Sequence, residues 1–493
     1  MVREGEAYAA RLGHLLRLET FPMITLALRP FVRPDGRVDR VALHSRHGVR
    51  WLAWDFLVGI AAFWVGYVLS PHTVLSEMPA IYYMVIVGTF YGFTLSLCSR
   101  LSGVPRPEHT WSNYELLATA LLGVVFSYAV FSSVAGLIVF RLYGRFIAVG
   151  TMALSLAGIL TPRLIVKALL PLSPLRVALY GGIPSCHETD LFGPHGFMDM
   201  VGWFRPRRIR EGLSPMVDLP LLGDIDDLTC ENTTQYELDL LILCQGDHLT
   251  HEEGVALMRL PSAGIDVLTL GAFLERFHRK VSVEGCSANW FASGPACMPN
   301  TSAFWAKRML DVALALVGLA LTLPFWPLIA LAVKLSGPGP VFFRQKRVGY
   351  LGQIFEIVKF RTMRTDAERN GAQFAIANDP RATRIGNFLR VSRLDELPQL
   401  LNILTGSMSL VGPRPERPEF VEGLVKEIPM YELRHMVPPG LTGWAQIRYR
   451  YGASREDAQR KLEFDLYYLR HFSLALDLEI IIKTIPMMMK GSR

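Results

Sequence analysis

The sequence predicts a membrane α-helical bundle of four transmembrane helices, joined to a cytoplasmic α/β domain and a C-terminal α-rich domain with a re-entrant membrane hairpin. Three observations predict it. Apolar residues make up 51% of 493 positions, and the excess is concentrated in a few long runs. From about Leu175 to Phe291 the pattern changes to short apolar segments broken by turn residues. The last long run is interrupted by Pro324 and Pro327 and has basic residues at both ends. The length itself points to about three domains, at roughly 100 to 200 residues each.

Residues 1–50 are polar and Arg-rich, without the short apolar core of a cleavable signal, so a cytoplasmic N-terminal segment is expected. Trp51–Ser70, Pro79–Leu97, Glu115–Phe140 and Phe146–Leu170 each approach the roughly 20 apolar residues that cross a hydrocarbon core. They make residues 51–170 a four-helix transmembrane domain. Arginines precede the first span, and Arg100 and Arg106 lie in the second connection, while Pro71–Glu77 has no basic residue. The positive-inside rule then places the N-terminus and the chain after the fourth span in the cytoplasm, with Arg141 and Arg145 arguing the other way.

In residues 175–292 the runs RVALYGG, MVDLPLLGDIDDL, ELDLLILCQGD and AGIDVLTLGAFLERF read as strands alternating with helical segments. That pattern predicts a Rossmann-like α/β domain with a parallel sheet. Its first turn, Gly181-Gly182-Ile183-Pro184, lacks GxGxxG spacing, and Pro184 removes an N–H that a phosphate cradle would use. A structural or regulatory role is therefore favoured over dinucleotide binding. Residues 293–303 read as a linker. The six cysteines show no CxxC or CxH spacing, so neither a zinc site nor a disulfide framework is indicated, and a reducing compartment fits best. A net charge of +7 without a nucleic-acid motif is read as attraction to anionic lipid and phosphate.

The fifth apolar run, Met309–Leu335, contains the helix-breaking Pro324 and Pro327. Lys307 and Arg308 precede it, and Lys334, Arg344, Lys346 and Arg347 follow. Basic flanks on both sides fit a re-entrant hairpin better than a crossing, with a Pro-kinked fifth span as the alternative. Two basic clusters follow, and alternation along FEIVKFR can place Lys359 and Arg361 together as an anion site.

The stretch Ser392–Leu404, SRLDELPQLLNIL, sets Asp395 and Glu396 before an apolar run. Ser392 and Asp395 have capping-box spacing, and Leu394, Leu397, Leu401 and Leu404 are expected to form one apolar helix face. Neighbouring carboxylates point roughly 100° apart, so distinct roles are expected rather than a shared proton. Arg390 and Arg393 lie on one side, and Gly412, Pro413 and Pro415 stiffen a loop around Arg414. Ionised carboxylates among arginines beside a membrane suit phosphoryl transfer.

At this point the chain resembles a known family. KRMLDVALALVGLALTLPFWPLIALAVKL, GPGPVFFRQKRVGYLGQIFEIVKFRTM, RVSRLDELPQLLNILTGSMSLVGPRPE, VPPGLTGWAQI and KLEFDLYYLRHFSLALDLEIIIKTI resemble bacterial polyprenyl-phosphate phosphoglycosyl transferases of the monotopic kind. RPERPEF and YRYGASREDAQ are similar to an exopolysaccharide and exosortase-associated branch. The resemblance implies a catalytic domain over residues 304–493, on the cytoplasmic face of a bacterial inner membrane. It implies that Asp395 attacks the β-phosphate of a UDP-sugar and expels UMP, and that polyprenyl phosphate then takes the phosphosugar. Glu396 matches the second dyad member, and Arg390 and Arg414 match phosphate-contacting arginines, with Lys359 and Arg361 in the KFRTM run. Mg²⁺ is the implied cofactor, with Asp395 as its protein ligand and substrate phosphates completing its shell. The larger members imply UDP-glucose or UDP-galactose as donor, membrane lipid as partner and a homodimer, with no nucleic acid. Ser407 and Arg393 depart from the usual Asp and Ser or Thr, and both are expected to stand off the dyad. A glycosyltransferase moving the sugar alone, or a non-catalytic scaffold or sensor of polysaccharide export, is the alternative.

Overall fold

The computed structural model describes residues 48–68, 81–101, 113–139, 145–169, 175–181, 198–206, 219–224, 227, 236–244, 249–283, 301–367, 379–449, 452 and 454–489. The first 47 residues, the turn from Gly182 to Pro184 and positions 284–300, which hold most of the expected linker, lie outside them. The chain divides into two units, Met1–His278 and Arg279–Arg493.

In the first unit the long apolar runs form four helices: α1 (Gly48–Val68), α2 (Ile81–Leu101), α3 (Asn113–Val139) and α4 (Arg145–Leu169). Their interior is aromatic. Phe131 meets Phe63 and Tyr91 edge-on, with ring centroids 5.6 and 5.2 Å apart, and such pairs add to what burial alone contributes. One ion pair is fully buried among these helices: Arg163 donates to Asp55 Oδ1 at 2.9 Å and Oδ2 at 2.7 Å. Bidentate pairing is what makes a charge tolerable in such surroundings. It fixes α4 to α1.

Five parallel strands follow: β1 (Leu175–Tyr180), β2 (Met198–Arg205), β3 (Leu221–Asp224), β4 (Leu240–Leu243) and β5 (Asp266–Thr269). Their spatial order is β3-β2-β1-β4-β5, a doubly wound sheet. Side chains alternate across it. Leu175, Val177, Leu179, Leu240 and Ile242 enter one apolar cluster, and Ala178, Tyr180, Leu241 and Leu243 enter another. Burial on both faces is why these strands read as nearly continuous apolar runs. Helix α5 (His251–Arg259) starts at a capping box formed by Thr250 and Glu253.

The second unit opens before the expected linker, because Val281 and Val283 belong to its core. Arg279 is buried in a bidentate pair with Glu479, with its guanidinium 4.1 Å from the Trp444 ring. Trp444 Nε1 donates to the Arg279 carbonyl at 3.0 Å.

Next comes a helical pair, α6 (Thr301–Thr322) and α7 (Trp326–Leu335), joined by one 3-10 turn, Leu323–Phe325. Pro324 and Pro327 each fall in the first turn of their segment, where a missing N–H costs least. Both ends of the pair are tied to the same unit. At the start, Lys307 reaches Asp477 at 2.8 Å, and Asp311 accepts from Ser409 Oγ at 2.7 Å and the Leu410 N–H at 3.1 Å. At the finish, Arg361 donates to the carbonyls of Val333, Gly337 and Pro338 at 3.0, 2.7 and 2.8 Å. Between these ties Leu316, Val317, Leu321, Phe325, Leu328 and Leu331 are more than half exposed.

The remainder is compact and helix-rich. An antiparallel hairpin of β6 (Phe342–Val348) and β7 (Ile354–Phe360) leads to α8 (Arg384–Val391) and α9 (Gln399–Thr405). Strand β8 (Ser409–Val411), helix α10 (Pro418–Glu427), strand β9 (Gly440–Thr442), α11 (Arg455–Arg470) and α12 (Leu474–Met489) complete it. Val411, Trp444, Leu462, Leu466, Tyr468 and Ile480 form its core.

Among the described residues three helical stretches are long and apolar enough to cross a membrane: Trp51–Val68, Phe146–Ile165 and Phe304–Leu335. A shorter apolar stretch runs over Thr119–Ala135.

Candidate functional site

Local structure around Asp395 differs from the capping box expected at Ser392. Ser392 closes α8 instead, donating its hydroxyl to the carbonyls of Phe388 at 2.8 Å and Leu389 at 3.2 Å. Arg393 then takes a left-handed backbone, φ 59°, which costs a non-glycine residue about 1 kcal/mol and reverses the chain. Leu394–Glu396 form one 3-10 turn, and Pro398 rather than Ser392 stands ahead of α9. The expected leucine stripe is also corrected. The break before α9 rotates the helix, so Leu400 and Ile403 are buried while Leu401 is exposed.

Asp395 and Glu396 are both mostly buried but are treated differently by their surroundings. Glu396 Oε1 accepts from Lys359 Nζ at 3.1 Å and Arg414 Nη2 at 2.9 Å, and Arg393 Nη1 lies 3.8 Å from Oε2. The expectation that Arg393 stands off the dyad is thus overturned: the left-handed turn folds it back over Glu396. Ser407 does stand away, accepting from Asn402 Nδ2 and donating to the Asn402 carbonyl at 3.1 Å. Among the described residues no hydrogen bond or ion pair holds the Asp395 carboxylate.

Electrostatics follow from this division. Burial works against the Glu396 charge, but Lys359 and Arg414 outweigh it and hold that carboxyl well below the usual range. Asp395 goes the other way. Burial, then the charge of Glu396, raises it to about 6, and Lys359 and Arg390 oppose the rise. The glutamate charge raises Arg414 further, so that guanidinium stays protonated. Burial lowers Lys359, with Glu396 opposing. At neutral pH the site therefore holds one unpaired carboxylate beside one saturated carboxylate.

The cations are pinned from behind. Gly412 N–H donates to the Thr442 carbonyl and Gly440 N–H to that of Pro413, both at 2.9 Å, which clamps the Gly412-Pro413-Arg414-Pro415 turn onto β9. Arg434 donates to the Arg414 carbonyl and Arg347 to that of Pro415, both at 3.1 Å. Arg390 comes from α8, its Nε donating to Thr362 Oγ1 at 3.0 Å. It lies near enough for its charge to act on Asp395. That approach requires glycine at position 386, where a Cβ would stand 1.9 Å from the Thr362 carbonyl oxygen.

The structure thus brings Asp395, Glu396, Lys359, Arg390 and Arg414 together. It does not bring Arg361 with them. Its guanidinium is engaged by the three carbonyls at the end of α7, so the expected pairing with Lys359 at an anion is corrected. Arg361 lies one residue beyond the end of β7, where strand alternation no longer applies. Sequence reasoning missed Asn402, which accepts from the Val358 N–H at 3.1 Å and donates to the Glu356 carbonyl at 2.7 Å. A lone polar residue in an apolar run was the available signal.

Among the described residues no group of three or more His, Cys, Asp or Glu could hold a metal unaided. Mg²⁺ typically takes one or two carboxylates and completes its shell with waters and substrate phosphates. An unpaired Asp395 fits that donor set.

A model of the bacterial sugar transferase family matches residues 302–491. An Aeromonas hydrophila UDP-N-acetylgalactosamine-undecaprenyl-phosphate N-acetylgalactosaminephosphotransferase is 40% identical over 245 residues, covering 50% of this chain and 57% of that protein. A Xanthomonas campestris pv. campestris UDP-glucose:undecaprenyl-phosphate glucose-1-phosphate transferase is 38% identical over 303 residues, covering 58% of this chain and 60% of that one. The chain thus spans a little over half the length of these two relatives. The exopolysaccharide production protein PSS of Rhizobium leguminosarum bv. phaseoli is 43% identical over 185 residues, 36% of this chain and 92% of its own length.

Proposed function

The chain belongs to the bacterial sugar transferase family, and from that premise we propose that it transfers a hexose 1-phosphate from a UDP-sugar to undecaprenyl phosphate. One observation carries this reading: Asp395 is unpaired while its neighbour Glu396 takes the cations. A carboxylate that no cation of the protein pairs with keeps a lone pair available for attack, and the charge that will meet a diphosphate is held close by. In the first step an Asp395 oxygen bonds to the β-phosphorus, the bond to the bridging oxygen breaks and UMP leaves. In the second a phosphate oxygen of the lipid attacks the same phosphorus and releases the carboxylate. Arg390, Arg414 and Lys359 bind the phosphates, and Glu396 keeps Arg414 and Lys359 in place between turnovers. An Asp395 oxygen and the substrate phosphates would hold Mg²⁺, which would supply further positive charge.

The names of the relatives include glucose and N-acetylgalactosamine donors. We take the donor here to be a UDP-hexose or its N-acetyl form, with UDP-glucose the first to try. In the proposed arrangement α1 to α4 cross the bacterial inner membrane, the α/β domain and residues 304–493 lie on the cytoplasmic side, and the chain forms a homodimer. The α6–α7 pair enters and leaves on that side, supported by the ties of both its ends to one unit and by the exposed apolar side chains between them. This keeps the site at head-group depth, where a cytosolic nucleotide sugar meets a lipid phosphate.

Purified protein incubated with a UDP-sugar panel and Mg²⁺ is expected to release UMP. Without acceptor lipid, a phosphosugar mass should remain on the peptide carrying Asp395. Release of UDP instead would identify a transferase that moves the sugar alone, and absence of turnover across the panel would sink the enzymatic reading.

A further inference from the structure

Gln399 stands four residues beyond Asp395, at the first position of α9, and is only 3% exposed. Its Nε2 is buried and has no hydrogen-bond partner among the described residues. Buried amide nitrogens are nearly always paired, so an orphan calls for a reason.

Its surroundings supply one. Glu396 closes the 3-10 turn, and Gln399 and Asn402, three residues apart, share a face of α9. Both elements meet β7: Glu396 binds Lys359, and Asn402 binds the backbone of Val358 and Glu356. Gln399 lies between two residues whose bonds with β7 are already made, yet its own donor takes no part. The unpaired Asp395 carboxylate stands four residues back, in the 3-10 turn just ahead of α9. An unpaired donor thus follows an unpaired acceptor by four residues, and Lys359 and Arg414 are bound to the residue next to that acceptor.

We propose that Gln399 is a further substrate-binding residue, whose Nε2–H donates to a non-bridging oxygen of the phosphoryl group that passes through Asp395. A neutral donor suits this place. The cations already supply charge, and an amide adds a fixed direction without further lowering the basicity of the nucleophile. This assignment rests on the phosphosugar-transfer reading given above.

The test uses full-length protein with Gln399→Met, which keeps length and volume but removes the donor, and Gln399→Glu, which replaces it with an anion. Removing an unpaired buried amide relieves an unmet desolvation cost. Gln399→Met is therefore expected to melt at or above the parent temperature while losing at least tenfold in the rate of phosphosugar loading at saturating UDP-sugar. Gln399→Glu is expected to lose more, through repulsion. A Met variant within twofold of the parent rate overturns the proposal. So does a fall of several degrees in melting temperature together with activity, which would mark Gln399 as a packing residue. If the parent itself releases no UMP with any UDP-sugar, the underlying reading fails and this assignment fails with it, whatever the variants do.

Discussion

At the scale of single residues, adjacent carboxylates are given opposite tasks by what lies behind each. Asp395→Asn is expected to abolish UMP release, because an amide oxygen is no nucleophile at phosphorus. Glu396→Gln should lower the rate severely while leaving Asp395 in place, since Lys359 and Arg414 lose the charge that holds them. Lys426→Ala, on the exposed side of α10, should stay within twofold of the parent. A steady-state UMP assay separates the three. Another residue carries a pH signature. Burial and then Arg434 hold His435 down to about 4, against about 6.5 in the unfolded chain. Between those values the unfolded chain binds the extra proton. Stability from this group is thus fully present above about pH 6.5 and is lost as pH falls toward 4. His435→Gln should flatten that slope, measured by thermal melts across the window; an unchanged slope would contradict the burial argument. The dyad was legible in the sequence, because SRLDELPQ places two acids among arginines. Which acid pairs with the cations was not, since that depends on Lys359 and Arg414, 37 and 18 residues away.

At the scale of elements, the helical pair α6–α7 shows what pattern can and cannot deliver. Pro324, Pro327 and the basic flanks announced a broken apolar helix, and the structure places a 3-10 turn there. The anchors were not legible, because Lys307 meets Asp477 across 170 positions and the basic run around Arg361 reads equally well as an anion site. Arg361→Met should therefore cost stability rather than substrate affinity. Leaving three carbonyls without their donor is worth about 3 kcal/mol, read as a lower melting temperature with KM for UDP-sugar unchanged. A raised KM at constant stability would return Arg361 to the substrate site. Single cysteines at the exposed positions Met309 and Leu335, in a background lacking the native cysteines, are expected to react with a membrane-impermeant maleimide from the same, cytoplasmic side. Labelling from opposite sides would make the pair a crossing.

At the scale of the whole molecule, the α/β alternation predicted the parallel sheet because the central strands β1 and β4 are apolar on both faces, a property written in consecutive residues. The division into two units falls before the expected domain end for the converse reason. KVSV reads as the tail of one domain, yet Val281 and Val283 fill the core of the next and Arg279 is paired with Glu479. A fragment starting at Arg279 should accordingly retain UMP release in lipid nanodiscs. One starting at Thr301 should melt markedly lower, since each buried valine is worth about 1.5 to 3 kcal/mol and Glu479 loses its bidentate partner. Equal melting temperatures would show that residues 279–283 contribute nothing. The two-ended tie of the α6–α7 pair reaches beyond stability. If the pair is re-entrant as proposed, a wedge fastened at both ends to one body displaces lipid from a single leaflet and has no route by which to turn over. In the proposed arrangement the loaded lipid is released into the leaflet from which it was taken, so anything built on it for the far side of the membrane must be carried across by separate machinery.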